Sequence, residues 1–169
     1  YEHCRLNNRA GERFLLSSIA EEGVKEGLLG VTKGEVFILL DGFKRVRCAK
    51  RLGIASVPVI SLSDDEATGI LALMRLCNAR SLTILEQASM IDELKRGHKM
   101  SAKEIAHKLE KSVGWVSMRQ GILDTMSSEV RQRIMSGEFP MYSYMYDLKR
   151  FMRMNTADNK EADKFVTAT

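Results

Sequence analysis

Cysteine is scarce in this sequence. Cys4, Cys48 and Cys77 are odd in number, and no two stand at C-x-x-C spacing. With no secretory signal at the start, this usage predicts reduced thiols in a cytoplasm rather than a disulfide framework. His3-Cys4 is a fragment of a metal-ligand pattern without a second pair, so no metal site is expected. No apolar run approaches the roughly 18 residues of a membrane span, and no membrane partner is expected. Internal repeats and low-complexity segments are missing too, which removes repeat architectures.

What remains is the composition of an ordinary soluble protein, 44% hydrophobic and 28% charged over 169 residues. That length holds one medium domain or two small ones. A net charge of +4 and a pI near 9.0 permit a nucleic-acid partner without requiring one. The distribution is more telling. Five of the twelve residues from Gly42 to Gly53 are Lys or Arg, with no acid among them. A second basic cluster comprises Lys95, Arg96, Lys99, Lys103, Lys108, Lys111 and Arg119, against Glu104 and Glu110.

Periodicity divides the chain into two regimes. Phe14, Leu15, Ile19 and Ala20 predict a helix over 10–22, stopped by Gly23. Two β-type runs, 28–31 and 36–40, flank Thr32-Lys33-Gly34-Glu35 as a hairpin. A basic helix over 43–52 follows, then a strand over 57–62 that Pro58 consigns to an edge or a strand start. Ser63 with Glu66 is expected to form a capping box that launches a helix through Cys77. After residue 81 helix follows helix. Thr83 caps a segment carrying Leu85, Ala88, Ile91 and Leu94; Ser127 or Ser128 caps a helix ending at Gly137; Pro140 restarts one through Met152. The expected organisation is α+β. A small mixed α/β module spans 1–81, an all-helical module 82–155, and a C-terminal helix or tail 156–169.

Lys99 to Leu123 resembles a helix-turn-helix. Ser101 caps a first helix with Glu104 three residues on, and Ile105, Ala106 and Leu109 form its inward face. Ser112 caps a second, with Val116, Ile122 and Leu123 inward. The outward side then offers Lys111, Val113, Gly114, Trp115, Ser117 and Arg119. In such a pair the second helix docks its N-terminal residues on base edges while the first crosses the phosphates. Lys103, Lys108 and Lys111 are the phosphate candidates, and Arg119 or Ser117 the base candidates. The same pattern also fits two packing helices with solvated lysines.

The order of elements is similar to that of the ParB family of partition proteins, from about Ser17 to Tyr146. Ser17-Ser-Ile-Ala-Glu-Glu-Gly23 resembles the segment opening the family's N-terminal domain. Leu40-Asp-Gly-Phe-Lys-Arg-Val-Arg-Cys-Ala-Lys-Arg-Leu-Gly53 resembles its G-E-R-R-x-R-A motif, followed by Val57-Pro-Val. Asn78-Ala-Arg80 is a degenerate E-N-x-x-R, Leu85-Glu-Gln-Ala88 matches L-E-x-A, and Ser101–Ala106, Lys111-Ser112 and Val116-Ser117 match the helix-turn-helix.

The resemblance implies a ParB/sulfiredoxin-like first module and sequence-specific binding of double-stranded DNA, an inverted repeat, by a homodimer. It also implies a bacterial, nucleoid- or plasmid-associated location. The family's first module clamps CTP with Mg2+, which places Gly42, Phe43, Lys44, Arg45, Arg47, Asn78 and Arg80 near a triphosphate, with CTPase activity as an accompanying expectation. A glycine at a helix mouth suits that role, because backbone N–H groups can approach an anion there. The chain departs from the pattern at Phe43 and Cys77, where the family has acids. It departs again at Lys44, which lacks the bidentate geometry of arginine, and at Val113, Gly114 and Met118, so its operator differs from the usual one.

Two other readings stay open. A metal-dependent nuclease would use Asp64, Asp65 and Glu66, although a helix start also explains those acids. An adaptor would present the Met- and Tyr-rich stretch 141–154 to a partner protein. Sulfiredoxin chemistry is not expected, because Cys48 lies beyond the Asp41–Arg45 loop.

Overall fold

The alternating run 28–41 closes on itself as expected. Strand β1 (Leu28–Lys33) pairs antiparallel with β2 (Val36–Asp41), joined through Gly34. β3 (Val59–Ser61) lies parallel to β1 on its other side, giving the order β2-β1-β3. The computed structural model describes residues 1–7, 9–77 and 82–148, together with Lys164 and Val166. β3 is shorter than the strand expected over 57–62. Pro58 has no N–H to offer, but its carbonyl accepts from Leu28 N at 2.8 Å, so it ends as the flank of an exposed edge strand.

Helices surround this sheet. α1 (Arg9–Glu22) and α2 (Phe43–Arg51) pack on each other, and α3 (Glu66–Leu76) covers the sheet with Ile70, Leu71 and Leu73. The cap of α3 corrects the expectation. Asp65, not Ser63, accepts from the helix, taking Thr68 N at 2.8 Å, while Ser63 Oγ accepts from Asp65 N at 3.1 Å. Ser63 stabilises the turn before the helix rather than its first turn.

The helical half follows as α4 (Ile84–Arg96), α5 (Ala102–Leu109), α6 (Val113–Asp124) and α7 (Ser128–Met135), with Ser127 as the last cap. A π-helical segment, Ser143–Leu148, comes after Pro140. The fold is thus mixed α/β, with three strands and seven α-helices among the described residues.

α4 is the central helix. A surface helix buries one stripe, whereas one buried on two sides is interior. Met90, Ile91 and Leu94 join a cluster with Val31 and Leu40 of the sheet, Leu73 of α3, Ile105 and Leu109 of α5, and Val116 of α6. Leu85 and Ala88 join a second cluster with Ile122, Leu123, Val130, Ile134, Phe139, Tyr144 and Val166. The core therefore runs without a break across residue 81. Arg75 of α3 reinforces this by donating to the Lys108 carbonyl near the end of α5.

The first turn of α4 carries the main polar joint. Glu86 is 5% exposed, and its Oε2 accepts from Thr83 N at 2.8 Å and Thr83 Oγ1 at 2.9 Å, completing a capping box. Its Oε1 accepts from Leu6 N at 3.0 Å and faces Arg5 Nε at 3.5 Å. Arg5 also holds Asp41 at 3.0 Å, so one carboxylate ties the N-terminal segment and the end of β2 to α4. Glu86→Ala strips these donors of their acceptor, and we expect a loss of about 2–4 kcal/mol in urea unfolding with an unchanged m-value. Glu86→Gln, which keeps an acceptor oxygen, is expected to lose less.

Candidate nucleic-acid interface

α5 and α6 are two helices joined by a short turn. Ser101 Oγ accepts from Glu104 N at 3.2 Å, and Glu104 returns a carboxylate to Ser101 N at 2.7 Å. Glu110 then adopts a left-handed conformation (φ 56), and Lys111 N reaches back to the Ala106 carbonyl at 2.9 Å. Three residues, Glu110 to Ser112, make the turn before Ser112 Oγ accepts from Trp115 N at 3.1 Å. Ile105 and Ala106 meet Val116 in the core, fixing the crossing.

Of the expected DNA contacts, Ser101, Lys103, Lys111, Ser112, Val113, Gly114 and Ser117 are exposed. Lys108 and His107 stand on the exposed side of α5 with Lys103. No acid lies in the first turn of α6, so the partial positive charge of its N-terminus is not offset there.

Arg119 corrects the expectation of an outward base-reader. Its Nε donates to Gln87 Oε1 at 2.7 Å, Nη1 donates to the Trp115 carbonyl at 3.2 Å, and the guanidinium lies 3.4 Å from the Trp115 ring centroid. Burial lowers its pKa below the ordinary guanidinium value. Gln87 is itself fixed, donating to the Leu82 carbonyl at 3.0 Å. Trp115 and Arg119 therefore clamp α6 onto α4. Gln87 lies 32 residues from Arg119, and no spacing rule along one helix connects them.

The second predicted site lies at the mouth of α2. Gly42 has φ 100, and a Cβ there would meet Leu28 Cδ2 at 2.6 Å, so backbone geometry and space both demand glycine. The α2 N-terminus carries no side-chain cap. Gly42, Phe43, Lys44, Arg45 and Arg47 line a cleft of about 1100 Å³ whose far wall comes from α4 and α7. Asn78 and Arg80 lie outside the described residues.

Of the three expected phosphate cations among the described residues, Lys44, Arg45 and Arg47, two are already paired. Arg45 bonds Glu26 at 2.6 Å and the Gly27 carbonyl at 3.1 Å, while Arg47 holds Glu12 at 2.8 Å and also pairs with Glu2. The far wall adds Arg96 and Arg131, with Asp92 between them, and Arg5 Nη1 is buried without a partner.

Other chemistry fits less well. Of the acidic triplet, Asp65 is a cap, Glu66 binds Tyr1 and Lys33, and Asp64 accepts from Ser63 Oγ at 3.5 Å. Cys48 is buried, 3.7 Å from the Glu12 carbonyl, and burial pushes its thiol up, away from thiolate chemistry. His3, Cys4 and Glu93 bring three donor atoms within 4.8 Å of one another, a grouping that the adjacent His3-Cys4 only half suggested. Burial pushes the Cys4 thiol up to about 11, and His3 sits 3.4 Å from Glu93 as an ion pair when protonated. In the stretch 141–154, Tyr144 is core, its hydroxyl donating to the Thr125 carbonyl at 2.9 Å. Tyr142 and Tyr146 are exposed and stacked, centroids 4.6 Å apart.

Residues 97–169, which contain both helices of the pair, match the KorB domain model. A probable chromosome-partitioning protein ParB of Coxiella burnetii (strain RSA 493 / Nine Mile phase I) is 29% identical over 113 residues, 66% of this chain and 39% of that protein. Over these stretches the chain is similar to KorB-domain and ParB proteins. It spans well under half the length of that curated relative. Among solved structures, Caulobacter crescentus ParB, truncated at its C-terminus and complexed to the centromeric parS site, is 21% identical with a TM-score of 0.37. That comparison covers 96% of this chain and 89% of the other. The same protein complexed with CTP-gamma-S is 24% identical with a TM-score of 0.35, covering 81% and 78%. No helix among the described residues is long and apolar enough to cross a membrane.

Two outcomes follow from the geometry. Arg119→Ala removes a hydrogen-bonded clamp, so thermal or urea unfolding should show a loss of about 1–3 kcal/mol. Arg119→Lys should not restore it, because an ammonium cannot both stack and bridge. The second concerns pH. Arg47 holds the Glu12 carboxyl below its ordinary 4.5, so the stabilisation is complete above 4.5 and is lost as pH falls through the lowered folded value. A urea series in acid should therefore show a shallower pH dependence for Glu12→Gln than for the parent.

Proposed function

We propose that this chain binds double-stranded DNA in a sequence-specific manner, with α6 in the major groove and α5 across the phosphate backbone, as part of a bacterial partition-type protein. The observation that carries the reading is the exposed N-terminal half of α6, bordered by Lys103, Lys108 and Lys111 and held rigidly against α4. Ser101 and Ser112 act as caps whose neighbouring N–H groups approach phosphates. The ParB name of the curated relative supports the assignment. In this reading residues 1–81 form the regulatory module and 82–155 the DNA-binding module. A homodimer meets an inverted repeat, and the protein works in the cytoplasm.

The cleft at Gly42 supports a second element, a nucleotide triphosphate such as CTP bound with Mg2+. The uncapped α2 N-terminus, the enforced left-handed glycine and Lys44 suit an anion. Phe43, in place of an acid, leaves one less carboxylate for a metal, which favours binding over hydrolysis. Arg45 and Arg47 would have to leave Glu26 and Glu12 to reach phosphates, so Lys44 is the first contact in this reading.

Selection of bound duplexes from a random pool, with and without CTP, tests both elements. Recovery of a palindrome supports the DNA assignment, and failure to enrich any sequence overturns it. Affinity for the recovered duplex is expected to fall linearly in log–log salt titration. Lys111→Ala should lower that slope by about 1 and weaken all sequences alike. An unchanged slope would remove Lys111 from the interface.

A further inference from the structure

The face that α6 turns outward is almost without hydrogen-bonding side chains. At 100° per residue, Val113, Ser117, Gly121, Gly114 and Met118 fall within about 140° of one another. Arg119 and Trp115 lie toward the opposite, packed side, as their contacts with α4 and with each other require. Met118 is 60% exposed and Val113 43%. The helix contains no lysine, and its one arginine is committed internally. From Val113 to Gly121, Ser117 is the one exposed side chain of this arc with a polar atom; Asp124, at the far end of the helix, falls in the same arc and is exposed. Charge lies around the face, on Lys103, Lys108 and Lys111 of α5 and the turn and on Lys95 and Arg96 of α4. Gly114 has no internal reason to be glycine. A Cβ there would meet only Ser112 Oγ at 3.8 Å, so the missing side chain leaves room on the outward side.

An apolar arc bordered by cations complements one part of a DNA major groove. The surrounding phosphates take the lysines, and the one apolar group on a base edge is the C5-methyl of thymine. We infer that α6 reads thymine methyl groups, with Met118 and Val113 as the contacting side chains and Gly114 allowing the helix backbone to approach closely. Guanine readout by a bidentate arginine, the commonest specific contact, is not available from this helix. This deepens the DNA-binding reading and rests on it.

The test uses the chain as it is and the duplex recovered by selection. Each thymine is replaced singly by deoxyuridine, which removes the methyl and keeps every hydrogen-bonding group. Fluorescence anisotropy should show binding weakened about four-fold at one or two positions per half-site, the effect of losing one buried methyl. Met118→Ala and Val113→Ala should each bind the thymine and uracil duplexes equally at the position that residue reads. Both side chains are exposed, so each variant should unfold at the parent's midpoint. A recovered duplex that tolerates deoxyuridine everywhere would overturn the inference while leaving DNA binding intact, as would a uracil effect that both alanine variants retain. Failure to recover any duplex removes the underlying reading and this one with it.

Discussion

The carboxylate of Glu86 is the joint on which the molecule depends. It is nearly inaccessible to water, so every lone pair without a donor would cost free energy, and the structure supplies donors from two directions. Thr83 fills one side from within α4, a local arrangement that any capping box could provide. Leu6 N and Arg5 fill the other, and these come from the far end of the chain. Burial of this group is tolerable only when the N-terminal segment is docked. The polar joint and the two apolar clusters around α4 thus form together. Hydrophobic packing supplies most of the stabilisation, and the carboxylate specifies which surfaces meet.

The same helix turn governs both candidate sites. Glu86 faces the first module through Arg5, whose guanidinium also holds Asp41, the residue before Gly42. Its neighbour Gln87 faces the other way and holds Arg119, which stacks on Trp115 near the start of α6. Adjacent residues of one turn therefore anchor the loop at the cleft and the helix of the proposed reading head. Among the described residues, half-buried arginines such as Arg5, Arg47 and Arg119 serve internal joints. The exposed lysines of α5 and its turn are left for long-range charge. That division follows from chemistry: arginine's planar fork can satisfy several acceptors at once, whereas a hydrated ammonium is better kept in water.

Local signals were legible in the sequence. The capping boxes at Thr83–Glu86 and Ser101–Glu104 involve atoms three residues apart, and the hairpin and the apolar stripes follow from periods of 2 and 3.6. Ser63 misled because Asp65 offers a better-placed acceptor two residues later, and the serine turns to the Asp65 N–H instead. The side of α6 that Arg119 takes was legible from spacing, since at 100° per residue it falls between Ile122 and Leu123 on the inward face; the outward expectation followed the residue type instead. Its partner Gln87 was not legible, because it belongs to a different helix. Glu86 was visible only as a cap, since the second half of its coordination is 80 residues distant. At the Gly42 cleft the glycine was legible from its place before a basic helix, but the pairing of Arg45 and Arg47 with Glu26 and Glu12 depends on how α1 and the loop after it lie beside α2.

The commitment of Arg119 also changes what kind of reader α6 can be. A long cation on a recognition helix samples several bases and discriminates by bidentate hydrogen bonding, at a cost in side-chain entropy when it is ordered. Here that entropy is already lost in the folded protein, because the guanidinium is fixed between Gln87 and Trp115. The residues left outward are short or unbranched. In the proposed reading, specificity must then come from shape, which requires that the helix not shift against its support. The Arg119–Gln87 clamp provides this, since it fixes α6 to α4, which is buried on two sides. A rigid helix with a nearly featureless apolar face can discriminate a methyl from its absence, whereas a mobile one could not.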